Sequence, residues 1–427
     1  MSSRPQPHEA FVWMWLPGST APIAAGRLVR SGNSFQFHYG RHYLALPDAI
    51  PLYEPELPLR PGLLPLPPGL TMPSAIRDSS PDAWGRRVII NRLAGLSGVQ
   101  AAAMDLDELT FMLESGSDRI GALDFQRSAS QYEPRLTHAP LAELMEAAER
   151  VEKGIPLTPE LGQALQHGTA LGGTRPKAQV EDGKYKYIAK FSTSSDLYAV
   201  VKAEFLAMRL AEAAGLNVAR VRLHSLLGKD VLLVERFDRQ LVADAWLRHP
   251  MVSALTLLEL DEMMAAYAGY DLLADVIRHR FAHPKETLRE LFGRLTFNIL
   301  CGNTDDHARN HAAFWDGRTL TLTPAYDVCP QSRTGGVASQ AMRIIGDSNL
   351  SRLSLCLKVA PKFQLEIGEA TAIIARQIET IKREWTKVCD EARLSVVDRN
   401  LLWGRQFLNP YAFEGAPAAL QRPETPA

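Results

Sequence analysis

A chain of 427 residues, 46% hydrophobic and 22% charged, is long enough to bury two or three cores and has the composition of an ordinary globular protein. Lys plus Arg (47) nearly balances Asp plus Glu (48), which argues against autonomous binding to nucleic acid. No apolar run approaches a membrane span or a secretory leader, and the four scattered cysteines lack metal or disulfide spacing, so the sequence predicts a soluble, cytoplasmic protein that makes no membrane contact.

Residues 11–60 read as β-rich, with AFVWMWL and FQFHY set apart by turn residues. A proline-dense connector leads to a helix expected to start at Ser80-Pro81-Asp82, with Ser80 as cap, and to stop near Gly95 or Gly98. A short helix over 105–113 and a strand over 120–125 follow, and the polar stretch 128–139 marks the first domain boundary. Residues 140–166 are helical and run into a glycine-rich segment, His167 to Lys177. Next come a hairpin turning at Asp182-Gly183, a helix over 198–215 stopped by Gly215, and the strands VARVRLHSL and DVLLVERFD. The chain turns helical from about 252 to 300, and helices return over 363–387 and 391–406. The Pro- and Ala-rich tail after Asn409 is expected to be poorly ordered.

The most informative stretch begins as the apolar run TFNILCGN and breaks into Asp305, Asp306, His307, Arg309 and Asn310, before Leu320 and Leu322 lead to an isolated Asp327. An aspartate, four residues, an asparagine, then a strand pair ending in a second aspartate is the order protein kinases use. Phosphoryl transfer needs one carboxylate near the nucleophile's proton and two oxygen ligands for Mg²⁺. The plainer alternative is a solvated capping loop, since Asn303, Asp305 and Asp306 are all good caps. His307, among charged residues, reads as a hydrogen-bond donor that holds the aspartate. Upstream, Gly168, Gly172 and Gly173 let backbone N–H groups approach anionic oxygens, although they fit no phosphate-loop consensus and also suit a flexible turn. Lys190, flanked by Ile188, Ala189 and Phe191, sits on a strand where it can reach phosphates; Glu204 on the next helix is its candidate partner or an exposed carboxylate. Glu235-Arg236-Phe237-Asp238 lies where sheet gives way to helix, either offering backbone to an adenine ring or simply ending a strand.

Together, GTALGGTRPKA, IAKF, LLVERFDR, GNTDDHARN and LTPAYDVCP, with SSPDAWGRRVIINR and DRIGALDF before them, resemble the HipA family of serine/threonine kinase toxins from type II toxin–antitoxin pairs. The resemblance runs over roughly 11–410. It implies an α+β, kinase-like two-lobed fold, with a small β-rich lobe over about 131–245 and a larger helical lobe over about 246–410. An N-terminal β-containing HipA-type domain (1–130) would precede these lobes and a disordered tail (411–427) follow them. It also implies ATP and Mg²⁺ as cofactors, with Asp305 orienting and deprotonating a substrate hydroxyl and Asn310 and Asp327 holding the metal. Lys190 would contact phosphates, Glu235 and Phe237 would present backbone to adenine, and Gly168, Thr169, Ala170, Leu171, Gly172, Gly173 and Lys177 would cover the nucleotide, with His307 nearby. The implied partners are a protein substrate, an aminoacyl-tRNA synthetase or another translation protein, and a small helix-turn-helix antitoxin through which DNA is reached only indirectly. One departure stands out: the family's loop often carries an autophosphorylated serine, and here that position is Ala170, with Thr169 beside it. The competing readings are a nucleotide-binding pseudokinase that acts as scaffold or corepressor, and a metal-dependent nuclease, which would need more converging carboxylates.

Overall fold

A computed structural model describes residues 6–94, 106–136, 139–166, 169, 173–193, 196–333 and 335–424. The chain divides into two compact units, the first made of 1–193, 225–252 and 314–318, the second of 194–224, 253–313 and 319–427.

In the first unit, alternation of apolar and polar residues builds an antiparallel sheet in the order β3-β2-β1-β4, from β1 (Glu9–Met14), β2 (Ile23–Ser31), β3 (Ser34–Tyr39) and β4 (Leu123–Gln126). Phe35, Phe37 and Tyr39 on β3 point inward and meet Val12, Leu28 and Phe125, the period-2 pattern of a sheet with one buried face. A second antiparallel sheet pairs β5 (Lys177–Glu181) with β6 (Lys186–Phe191) and β6 with β8 (Lys229–Glu235). The predicted hairpin turn is there, with Gly183 at φ +85°, a conformation glycine adopts without penalty. Trp84 of helix Ala83–Ala94 packs with Leu144, Ala148, Phe191 and Val231 to form this sheet's own core, and its indole donates to Lys177 O at 3.0 Å. The hairpin β9 (Arg239–Val242) and β10 (Ala245–Arg248) follows β8. The partition between units cuts through β7 (Val221–Leu226), β11 (Met251–Ser253) and β12 (Ala312–Trp315).

The second unit is mainly helical, with the short strand β13 (Leu320–Leu322) and its share of β7, β11 and β12. Its centre is the helix Pro284–Cys301, with proline in the first turn and every residue from Leu291 to Cys301 buried. Helix Ile367–Glu391, opened by a reciprocal Glu366/Glu369 capping box, lies against it. Gln377 donates to Gly293 O at 2.7 Å and accepts from Thr296 Oγ1 at 2.8 Å, so the buried amide is satisfied by the neighbouring helix.

Three expectations need correction. The helix after the proline-dense connector starts at Ala83, so Ser80 does not cap it; the Ser80 hydroxyl is buried without a partner among the described residues. The last helix spans only Val396–Leu402, because the chain turns to bury Trp403 and Phe407. The segment 410–424 packs instead of trailing away: Tyr411, Ala412 and Leu420 are buried and Arg422 donates to Leu408 O at 2.9 Å. Three apolar anchors offset the ordering entropy that its composition suggested would win. No helix among the described residues is long and apolar enough to cross a membrane, and all four cysteines are buried, with burial pushing the Cys301 thiol up to about 12.

Candidate active site

In the second unit, the helix Pro284–Cys301 ends at Gly302, which takes φ +74° and lies so close to Gln406 that a Cβ would stand 2.6 Å from its carbonyl oxygen. From there Asn303 N donates to Asn298 O at 2.9 Å, and the chain enters the polar knot. Its residues divide cleanly. Asn303, Asp306, Asn310 and His311 are buried, whereas the Asp305 carboxylate is exposed. The solvated capping loop is therefore excluded for all but Asp305.

A line of hydrogen bonds ties the buried members together. Asp306 Oδ2 accepts from the Tyr270 hydroxyl and from His311 Nε2 at 2.9 Å, and Asn298 Nδ2 donates to Tyr270 Oη at 3.5 Å. Asn298 Oδ1 accepts from Asn303 Nδ2 at 3.1 Å, and Asn303 Nδ2 also reaches Asp327 O at 3.5 Å. Asp306 is thereby linked to the backbone of Asp327 through three side chains. Asn310 closes the loop: its N donates to His307 O at 2.8 Å and its Nδ2 to Asp305 O at 3.3 Å. Among the described residues the amide thus holds the loop through its nitrogen. Asp327 sits at φ +59°, a region aspartate tolerates better than most residues. Loss of surrounding water pushes the Asp305 carboxyl above its ordinary value; His307 pulls it down and the like charge of Asp327 raises it further.

Asp305, His307, Asn310 and Asp327 are therefore brought into one neighbourhood, but the histidine that grips an aspartate is not His307. The gripping ring is His311 and the aspartate it holds is Asp306, because the 3₁₀ turn Ala308–Asn310 carries His311 inward. His307 Nδ1 has no hydrogen-bond partner among the described residues, and its influence on Asp305 is one of charge. Tyr270, Asn298 and His311 were not anticipated. The signal available was Asn298, a lone amide inside the otherwise apolar TFNILC.

The first unit carries the upstream candidates. Lys177 and Lys190 stand opposite each other in the β5–β6 register, and both are more than nine-tenths buried. Gly173, at φ +98°, passes so near Lys177 that a Cβ would meet its Nζ at 2.3 Å; its N–H donates to Asp82 and its carbonyl accepts from Trp84 N at 3.3 Å. Thr169 is buried and its Oγ1 accepts from Gly116 N at 3.1 Å. Gly168, Ala170, Leu171 and Gly172 lie outside the described residues. Glu235 ends β8 opposite Tyr187, Arg236 N donates to Lys186 O at 2.8 Å, and the Phe237 ring meets Phe314 edge-on at 6.0 Å. Glu204, in the second unit, is buried within helix Val200–Ala213 and is not the exposed carboxylate of the plainer reading.

Comparison with known proteins bears on both units. The HipA N-terminal domain matches residues 18–126, and the HipA-like C-terminal domain matches 169–385, more than half of the chain. "Putative kinase Y4mE" of Sinorhizobium fredii is 32% identical over 130 residues, 29% of this chain and 31% of that protein. "Serine/threonine-protein kinase toxin HipA" of Shewanella oneidensis is 27% identical over 141 residues, 29% of this chain and 33% of that protein. The aligned part thus spans about a third of each curated relative's length. A solved structure from Shewanella oneidensis, of the toxin–antitoxin system HipA and HipB with operator DNA, shares the fold at a TM-score of 0.65 and 19% identity, covering 93% of this chain and 96% of that one. With both domains matched in order and the α+β fold shared along nearly the whole length, the chain belongs to the HipA family.

Proposed function

We propose that the chain is an ATP- and Mg²⁺-dependent kinase that phosphorylates a serine or threonine hydroxyl of a cellular protein, and that it acts as the toxin of a toxin–antitoxin pair. The observation that carries this reading is the braced loop: a hydrogen-bonded line from Asp306 through Tyr270, Asn298 and Asn303 to the Asp327 backbone holds the loop and leaves the Asp305 carboxylate open. Asp305 then orients the substrate hydroxyl and accepts its proton as the oxygen attacks the γ-phosphorus and the bond to the bridging oxygen breaks, releasing ADP. The Asn310 Oδ1 and the Asp327 carboxylate are hard oxygen donors, and Mg²⁺ takes only one or two protein ligands beside waters and phosphates, so the pair fits it. Bound there, Mg²⁺ neutralises phosphate charge. Lys177 and Lys190 hold phosphate oxygens, and the Glu235–Phe237 backbone meets adenine.

A cytoplasmic protein with near-zero net charge fits one that reaches DNA only through a basic partner. The natural candidate is a small helix-turn-helix antitoxin, since the relative of shared fold was solved with HipB and operator DNA. The substrate expected for the family is a translation protein such as an aminoacyl-tRNA synthetase. The test is transfer of labelled γ-phosphate from ATP in Mg²⁺ to proteins of a cell lysate. Labelling by the wild type that disappears with Asp305→Ala is expected. Labelling that survives the substitution overturns the role of Asp305, and ATP binding with no transfer favours the pseudokinase.

A further inference from the structure

Arg236 lies between the two residues assigned to adenine, yet its side chain reaches a turn of the N-terminal domain 118 residues earlier in the chain. The carbonyls of that turn face a set of guanidinium groups. Ser117 O accepts from Arg248 at 2.8 Å, Asp118 O from Arg236 at 3.1 Å, Arg119 O from Arg236 at 2.6 Å and from Arg239, and Gly121 O from Arg239 at 2.9 Å. Gly121 N returns the contact to Asp238 Oδ2 at 2.8 Å. The Asp118 carboxylate lies 3.1 Å from Arg236, 2.9 Å from Arg239 and 2.6 Å from Lys186. Asp238 adds contacts of 2.7 Å to Arg236 and 2.8 Å to Arg239. Asp118, Arg236, Asp238 and Arg239 are more than nine-tenths buried, and Lys186 is partly buried.

A turn whose carbonyls are satisfied by arginines, with Gln179 also donating to Asp118 O, takes its shape largely from those side chains, and they take theirs from it. The Arg236 peptide is held to β6 by its N–H and its side chain to the turn, so it cannot move unless the turn moves. We propose that Asp118 and Asp238 are positioning residues for base recognition: the 117–121 turn is a brace that fixes the Glu235–Phe237 backbone at the spacing adenine requires. This inference rests on the kinase reading. Removing one carboxylate leaves the Arg236 and Arg239 guanidinium groups sharing a single counter-charge, and the peptides flanking Arg236 lose their fixed place.

The experiment measures binding of ATP, and of inorganic tripolyphosphate as a ligand without a base, to the full chain in Mg²⁺. For Asp118→Asn the expected result is ATP affinity lower by about tenfold with tripolyphosphate affinity within about twofold, and a raised KM for ATP with little change in kcat. If that variant does not fold, Asp238→Asn is put to the same test. Equal loss for both ligands, or unchanged ATP affinity, overturns the brace while the kinase reading stands. Failure of the wild type to bind ATP overturns that reading and the brace with it.

Discussion

Asp118 and Asp305 are both loop aspartates, and the protein treats them in opposite ways. Asp118 is wholly buried and faces three cations, which hold its carboxyl well below the usual range despite the desolvation that works against it. Asp305 is exposed to solvent on one side, and loss of surrounding water on the other pushes its carboxyl up; the charge of His307 pulls it down and the like charge of Asp327 adds a smaller upward push. A buried carboxylate with both oxygens held by cations is poorly placed to take a proton from a substrate. An exposed one with a disfavoured charge is well placed to do so. On the proposed reading, charge compensation separates architecture around Asp118 from chemistry at Asp305.

The comparison predicts unequal costs. Asp118→Ala strands buried cations and should destabilise the first unit by roughly 3–5 kcal/mol, read by denaturant unfolding. A cost under ~1 kcal/mol, the range of an exposed pair, would break the contrast. Tyr270→Phe tests whether the buried floor of the catalytic loop behaves like the Asp118 cluster. Asp306 keeps His311 but loses one donor, so a loss of about 1–3 kcal/mol is expected, with slower phosphate transfer. No change in either would leave Tyr270 without a role.

Acid sharpens the contrast further. Arg236 and Arg239 hold Asp238 down to about 2 against its desolvation, and Asp118 and Asp124 are lowered too. A carboxyl with a depressed folded pKa stabilises the fold above its unfolded value and loses that contribution as pH falls through the folded one. Stability should therefore drop from near pH 4, an aspartate's ordinary value, toward pH 2. Asp118→Asn should flatten that slope, and an unaltered slope would remove Asp118 from the explanation. The smallest effect belongs to Thr169→Val, which forfeits one buried acceptor for Gly116 N and should cost about 1 kcal/mol. Because that hydroxyl is buried, mass spectrometry of the folded protein after incubation with ATP should find no phosphate on Thr169.

What could be read from the sequence follows from distance along the chain. Asp305, Asn310 and Asp327 fall within one stretch, so their order is visible in the letters, as is the hairpin around Gly183. The Asp118 cluster is not visible, because its arginines lie 118 and 121 residues away and a charged run in a loop ordinarily means solvent. The exchange of His307 for His311 is of another kind. Both histidines flank the same turn, and only the path of Ala308–Asn310 decides which ring turns inward. The tail was misjudged because Pro and Ala dominate its composition while Tyr411 and Leu420 decide its packing.

The most direct test sets Asp305→Asn beside Asp118→Asn and measures phosphate transfer and thermal unfolding on each. The account predicts that Asp305→Asn loses transfer by about 10²–10⁴-fold with no loss of melting temperature. Asp118→Asn should melt several degrees lower while keeping kcat at saturating ATP. If both substitutions abolish transfer and both lower the melting temperature alike, the separation between the two aspartates is wrong.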